Sequence, residues 1–541
     1  MTDIRDQETI GEIWTAAVAT HGARPFLAIP ANPGRAYHPD GLELTYAAAD
    51  TEVQRLIAAY REAGYGPGHR VALLLENRPE HVLHRLALNS LGASCVPVNP
   101  DYRPAEIAYL LEHCEPQLLL TIAARQAHVE AALALSAHKP PVQLIEHGGA
   151  PPAPQVPKSA EPITPLTEAQ ILYTSGTTGR PKGCIISHGY EVASAARYVT
   201  LPGRAQLRHR AERIYNPLPL YHCNSGIVSL LGAVLTGNCQ IQPDRFHPER
   251  WWSEVIETRA TIIHYLGVVI QMLLKREPSG VDRAHQVRFG FGAGVEPQLH
   301  AAFEARFGFP LLEVWGMTEM VRVLGDTVEP RQVGTRAFGR QFPGVDVRVV
   351  DTDDRDVADG EPGEMVLRHS AATPRRGAFS GYLKEPAETE KAWRGGWFHT
   401  GDTVTRAADG MLHFVDRKKN IIRRSGENIA AAEIEALLLT DERVLQVAVM
   451  AVKDEVREEE VLACVVLKSG TPDRAMAERL FALCHERLAY YKAPGWIWFA
   501  RDLPTTGTQK IQKHSIFPDH ADPRTAPGMI DLRALKRREK V

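Results

Sequence analysis

No run of about eighteen apolar residues occurs in the chain, which excludes a membrane-spanning helix. Cysteine is scarce. The seven present (Cys95, Cys114, Cys184, Cys223, Cys239, Cys464 and Cys484) are odd in number and never spaced as CxxC. Neither a disulfide framework nor a zinc site is expected from them, and a reducing interior fits best. An excess of one charge is missing as well: 62 Lys plus Arg stand against 65 Asp plus Glu. That balance leaves no electrostatic footprint for nucleic acid or an anionic membrane. The opening residues, from Met1 to Thr9, are polar and acidic, without the apolar core of a signal peptide. Internal repeats are absent too. These absences describe a soluble, cytoplasmic protein with no nucleic-acid partner and no integral membrane segment, for which a homodimer is one possible assembly.

What is present is an ordinary globular composition, 44% hydrophobic and 23% charged, over 541 residues. That length exceeds what a single core supports, so more than one domain is expected. Apolar spacing predicts a helix over 45–63, a buried strand over 71–75 and a helix over 81–91. A strand over 95–99, a helix over 104–111 and a strand over 117–121 follow, the alternation of a parallel sheet covered by helices. Residues 139–165 are rich in proline and read as an irregular surface connection. After Asp416 the pattern changes to a helix over 432–439, strands over 445–450 and 461–467, and a helix over 476–490. The fold class expected is therefore α/β, a large N-terminal domain of α/β subdomains followed by a small mobile C-terminal α+β domain. The basic end, Lys536-Arg-Arg-Glu-Lys540, reads as a solvated tail.

One segment is dense in glycine and hydroxyls: Thr174-Ser-Gly-Thr-Thr-Gly-Arg-Pro-Lys-Gly183. Glycines let backbone N–H groups approach phosphate oxygens closely. The hydroxyls of Thr174, Ser175, Thr177 and Thr178 donate further hydrogen bonds, and Lys182 neutralises charge. Taken alone, such a loop is equally a turn without a ligand. It is not a Walker A loop, because Pro181 stands where that pattern needs glycine and Gly183 follows the lysine. Gly290-Phe-Gly-Ala-Gly294 does not complete GxGxxG either, since Val295 occupies the last position.

Tyr173 to Gly183 resembles the phosphate-binding signature of the adenylate-forming superfamily: acyl-CoA synthetases, peptide-synthetase adenylation domains and luciferases. Further motifs follow in family order along roughly the whole chain. Trp315-Gly-Met-Thr-Glu319 is similar to the aromatic-Gly-x-Thr-Glu motif. The resemblance implies that Trp315, Gly316 and Met317 lie by the adenine, that Thr318 bonds phosphate and that Glu319 holds Mg2+. Gly292, Ala293 and Gly294 sit where the family has small residues beside the adenine and acyl pocket. Thr400-Gly-Asp402 resembles the ribose-binding motif, with Asp402 and Arg417 on the hydroxyls and Lys419 as the hinge. Ser425-Gly-Glu-Asn428 is the segment that would face the pocket for thioester formation. Leu503-Pro-Thr-Thr-Gly-Thr-Gln-Lys510 is similar to the motif of the catalytic lysine. Gln509 departs from the commoner glycine there, and Lys513 nearby is the alternative to Lys510.

The resemblance thus implies two domains, 1–418 with the ATP and acyl sites and 419–541 with the catalytic lysine. It also implies ATP, Mg2+ and coenzyme A, with the phosphate loop, Ser175, Gly176, Thr177, Thr178 and Gly179 included, on the nucleotide. The expected reaction activates a small carboxylic acid as acyl-AMP, releases pyrophosphate and passes the acyl group to CoA. Transfer to a separate carrier protein and a luciferase-like oxygenase are the alternatives, with a non-catalytic nucleotide-binding module further off. Pro217-Leu-Pro-Leu-Tyr-His222 resembles the acyl-CoA ligase version of its segment, in which His222 borders the acyl site; a packing histidine is the other reading. No aspartate lies between Pro217 and Leu230, which disfavours an amino acid as substrate. Arg322 falls where family members line the acyl pocket. It points either to an anionic acid or to an internal pair with Asp326. The run Trp315 to Asp326 is also similar to that of the crotonobetaine/carnitine–CoA ligase branch.

Overall fold

The computed structural model describes residues 5–174, 181–417, 421–504, 511, 513–517 and 522–538, without the side chains of 321, 322, 416, 417, 432 and 514. The phosphate-loop residues Ser175 to Gly179, Lys419 and Lys510 therefore lie outside the described residues.

Two mostly parallel sheets form the large domain. The first runs, in spatial order, Gly381–Tyr382, Lys182–Ser187, Glu168–Thr174, Ser94–Pro97, Arg70–Leu73, Leu118–Thr121 and Val142–Leu144. Its central strands Ser94–Pro97, Arg70–Leu73 and Leu118–Thr121 are short apolar runs read from the sequence, buried on both faces as helix-covered strands must be. The second sheet runs Met320–Gly325, Leu311–Met317, Phe289–Ala293, Ile262–Leu266, Arg213–Tyr215, Cys239–Ile241, Pro25–Ile29 and Leu42–Thr45. A four-stranded antiparallel sheet, Asp346–Val350 to Leu412–Arg417, closes the domain.

Local chemistry sets the helix bounds. Thr45 caps the helix Tyr46–Ala63 by accepting from the Ala48 N–H, and Gly64 ends it at φ 97°, a conformation glycine adopts without strain. Pro79 and Pro104 open the helices Pro79–Ser90 and Pro104–Cys114, where the missing N–H costs nothing.

The smaller C-terminal domain is a sheet of Glu427–Ala430, Ile421–Arg424, Glu458–Leu467, Trp496–Ala500 and Ile530–Asp531, with Val444–Asp454 paired to Glu458–Leu467. The helices Ala431–Leu438 and Arg474–Arg487 pack against it around their own apolar core. The second helix stops at Arg487, short of the expected 490. Tyr490 and Tyr491 instead face the large domain, where Asn99 donates to the Tyr491 hydroxyl at 3.0 Å. Lys492 is buried beside them and ion-paired to Glu106 of the large domain (2.6 Å) and Glu433 (2.9 Å).

Two other expectations change. The proline-rich connection contributes an edge strand, Val142–Leu144, before it becomes irregular. The basic tail is not simply solvated. Lys536 is fully buried, between Glu460 and the Tyr491 carbonyl, and Arg538 reaches Asp101 of the large domain at 2.7 Å. A buried ammonium needs a carboxylate partner, and Glu460 supplies it.

Candidate active site

The parallel strands of both sheets end at one large cavity of about 1420 Å³, which also receives the hairpin of the small domain. Such placement, outside the carboxyl ends of strands, is where open α/β sheets bind ligands. The volume exceeds that of a pocket for one small ligand.

Thr174 lines the cavity at the end of its strand. Its strand pairs antiparallel with Lys182–Ser187, with Thr174 opposite Lys182, so the phosphate-loop segment joins the two strands of a hairpin. Gly183 is required by packing: a Cβ there would lie 2.9 Å from Ile171 Cγ2. Lys182 turns to the other side, with Nζ 2.7 Å from Glu388 and 3.7 Å from Glu385.

Gly292, Ala293 and Gly294 line the cavity. A Cβ on Gly292 would stand 2.2 Å from the Tyr265 carbonyl oxygen, and Gly294 has φ 83°. Glu313, absent from the sequence-based site, holds this turn. Its carboxylate accepts from the Gly294 N–H at 2.9 Å and from the Tyr265 hydroxyl at 2.9 Å. Burial pushes its pKa up to about 6 against those hydrogen bonds. No motif spacing marks a lone glutamate inside a strand.

Gly316, Met317, Thr318 and Glu319 also line the cavity. Cys223 Sγ lies 3.6 Å from Thr318 Oγ1, and the Tyr190 hydroxyl donates to the Thr318 carbonyl. Tyr382, absent from the sequence-based site, donates its hydroxyl to Glu319 Oε1 at 2.8 Å. Trp315 is buried, and its indole N–H donates to Asp402 Oδ2 at 2.9 Å. Asp402 and Arg417 are paired positions on neighbouring strands. Neither Trp315 nor Asp402 belongs to the cavity wall, whereas Thr400 does.

His222 lines the cavity, its Nε2 without a hydrogen-bond partner among the described residues. Burial lowers its pKa, opposed by the Glu427 carboxylate, whose Oε2 stands 3.9 Å from Nε2. Tyr221 donates to Glu427 Oε1 at 3.2 Å. Ser425, Gly426 and Glu427 thus meet His222, Thr318 and Glu319 around one cavity. Pro504 and Ile511, which flank the segment containing Lys510, do not line it. Lys513 is engaged within the small domain, with Nζ 2.6 Å from Glu435 and 2.8 Å from the Val449 carbonyl. Arg322 lies on the strand Met320–Gly325; Asp326 Oδ1 has no hydrogen-bond partner among the described residues.

The AMP-binding enzyme family matches residues 16–383, and the AMP-binding enzyme C-terminal domain matches residues 433–510. The chain belongs to the AMP-binding enzymes. It is 31% identical to a sulfoacetate–CoA ligase of Cupriavidus necator, over 94% of this chain and 97% of that one. Against a crotonobetaine/carnitine–CoA ligase of Escherichia coli O157:H7 the identity is 30%, over 95% of this chain and 100% of the other. Among solved structures, an amide bond synthetase of Marinactinospora thermotolerans is similar with a TM-score of 0.78 at 25% identity, covering 94% of this chain and 98% of that chain. An o-succinylbenzoate CoA synthetase of Bacillus subtilis shares the fold with a TM-score of 0.79 at 21% identity, with coverage of 94% and 98%. No helix among the described residues is long and apolar enough to cross a membrane.

The small domain's contact with this AMP-binding fold carries a pH-sensitive carboxylate. Glu458 accepts from the Val268 N–H at 2.8 Å, at the start of the helix Gly267–Leu274. Burial pushes its pKa up to about 7, with Arg423 and the Val268 bond pulling it down and Glu459 and Glu296 pushing it up. Released from this contact, the carboxyl returns towards its ordinary 4.5. The docked arrangement therefore binds the proton more tightly, and docking weakens as pH rises from about 4.5 to about 7, then stays level. In Glu458→Gln this pH dependence is expected to vanish. The rate at which CoA consumes a supplied acyl-adenylate, as the ratio of variant to unmodified protein from pH 5 to 8, should rise to pH 7 and flatten. A ratio independent of pH would refute the assignment.

Proposed function

We propose that this chain is an ATP-dependent acid–thiol ligase that activates a small carboxylic acid as acyl-AMP and transfers the acyl group to coenzyme A. The observation that carries this reading is the meeting of Ser425, Gly426 and Glu427 with His222, Thr318 and Glu319 around one cavity. Binding of a nucleotide alone would need no second domain at the acyl end.

In the first step a carboxylate oxygen attacks the α-phosphorus of ATP, the bond to the β,γ-pyrophosphate breaks, and acyl-AMP forms. The residues Thr174 to Gly179 and Thr318 are assigned to the phosphates, joined by Lys182 once it leaves Glu388, and Asp402 and Arg417 are assigned to the ribose. Lys510 is assigned to bridge the attacking carboxylate and the α-phosphate, where an ammonium both aligns attack and stabilises developing charge. Glu319 suits a magnesium ion. Its carboxylate opens on the cavity, the Tyr382 hydroxyl fixes one oxygen, and a hard oxygen ligand suits this ion. Among the described residues no group of three or more His, Cys, Asp or Glu could hold a metal, which fits an ion that depends on substrate phosphates for its remaining ligands. The bound ion would neutralise phosphate charge.

In the second step the CoA sulfur attacks the acyl carbonyl, the bond to AMP oxygen breaks, and the thioester leaves with AMP. The arrangement described here is assigned to this step, with the hairpin of the small domain at the acyl end. Presentation of Lys510 then requires the small domain, proposed as 419–541, to turn about Lys419. The names of the relatives suggest short polar acids.

The test is a screen of small acids with ATP, magnesium and CoA. AMP, pyrophosphate and lost thiol should appear in equal amounts. Pyrophosphate release without thiol loss would point to a carrier protein as acceptor, and oxygen uptake to an oxygenase.

A further inference from the structure

Asn224, Val228, Phe291, Val314 and Val323 all line the cavity. Four of these are apolar, so one amide among them needs a reason. Asn224 opens a π-helical turn, Asn224–Ser229, a distortion found frequently at functional sites.

The orientation of its amide follows from the groups behind it. Asn216 Oδ1 accepts from the Leu218 N–H at 3.1 Å, so Asn216 Nδ2 faces the other way. That Nδ2 donates to Ser229 Oγ and to Asn224, each at 2.9 Å. The atom of Asn224 facing it must accept, and is therefore Oδ1. His264 Nδ1 lies 2.7 Å from the same oxygen and so carries the ring proton. The Tyr198 hydroxyl, 2.9 Å from His264 Nε2, then donates to it. His264 is fully buried and neutral, its pKa pushed down by burial to about 3. Ser229 passes the network on to Gln240, and Gln240 to Gln242, all buried. With Oδ1 held by two donors, Asn224 turns Nδ2 away from the network, and that nitrogen has no partner among the described residues.

We propose that Asn224 is a specificity-determining residue, whose fixed amide N–H groups select a short acid carrying a hydrogen-bond acceptor oxygen a few bonds from the reacting carboxylate. The proposal rests on the ligase reading above. His222, at the reacting end, is two residues away, so the two Cα atoms lie within about 7 Å and both side chains serve the same part of the cavity. A donor that a bound alkyl chain covers and leaves unpaired is costly, and that cost rejects alkyl acids more strongly than a missing methylene would. The shared chemistry is an acceptor oxygen, from either a hydroxyl or a second carboxylate.

The test compares kcat/KM for pyrophosphate release with 3-hydroxybutanoate, succinate and pentanoate. At least one acceptor-bearing acid should exceed pentanoate by about 200-fold or more, beyond what a methylene is worth, and which one does so identifies the oxygen. Asn224→Leu should lose that preference while keeping or improving pentanoate. Asn224→Asp keeps the oxygen that Asn216 and His264 address but replaces the donor with an acceptor. It should lose the acceptor-bearing acids by a similar factor and gain 4-aminobutanoate. No preference in the unmodified protein, or an equal fall for every acid in both variants, would overturn the proposal. If no acid gives pyrophosphate with any variant, the ligase reading itself has failed, which is a separate outcome.

Discussion

Replacing Lys510 with alanine is expected to lower acyl-adenylate formation by about 10²- to 10³-fold or more while leaving the second half-reaction nearly intact. The attacking carboxylate and the α-phosphate are both anionic, so their approach is opposed until a cation lies between them. An ammonium placed there offsets that repulsion and is worth most in a site from which water is excluded. Alanine removes the charge and the alignment together. Thioester formation from a supplied acyl-adenylate asks nothing of this lysine, because the carbonyl is already activated. In the arrangement described here Pro504 and Ile511, on either side of its segment, do not line the cavity, whereas Ser425 to Glu427 do. Pyrophosphate exchange measures the first step, and thiol loss from supplied acyl-adenylate measures the second. Full exchange in Lys510→Ala would reject the assignment. Lys513 is a poor substitute in this arrangement, since Glu435 and the Val449 carbonyl already hold it.

The elements that sequence reasoning placed well are those whose signal is local. The strand Arg70–Leu73 and the helix Tyr46–Ala63 follow from apolar runs and periodicity. Of the candidate site, the residues that sit in ordered motifs were legible as a group: Thr318, Glu319, His222 and Ser425 to Glu427 all line one cavity. What stayed hidden depends on contacts between distant segments. Glu313 acts on Gly294 from a neighbouring strand, and Tyr382 reaches Glu319 across 63 positions. Lys536 reads as part of a solvated tail because charge runs usually are one. Its burial depends on Glu460, 76 residues earlier, which no local pattern announces. The turn of Lys182 towards Glu388 is of the same kind, since a lysine beside a phosphate loop carries no sign of a competing carboxylate 206 residues on.

A valine at Gly426 is expected to produce the reverse of the Lys510 defect, with adenylate formation kept within a few-fold and thioester transfer lowered by about 100-fold. Gly426 has φ 90° in the turn between Ile421–Arg424 and Glu427–Ala430. For a β-branched residue that conformation is a genuine outlier, costing of order 1–3 kcal/mol. A Cβ there would also approach Leu266 Cδ1 to 2.5 Å. The end of a leucine side chain can turn aside, so this clash is partly relieved, at the price of packing against the cavity wall. The backbone strain has no outlet that keeps the turn. Since about 1.4 kcal/mol is a factor of ten in rate, the two effects together reach the expected loss. The hairpin can relieve its strain by changing the turn, but the new turn no longer fits between Leu266 and Tyr221, and Glu427 loses its seat. On the proposed alternation, adenylation takes place with this hairpin turned away and should not feel the difference. Gly426→Ala, which removes the β-branch but keeps the left-handed requirement, should fall between the two. Equal loss of both half-reactions in Gly426→Val, with the fold intact by circular dichroism, would mean that the hairpin serves both steps and that the small domain does not alternate.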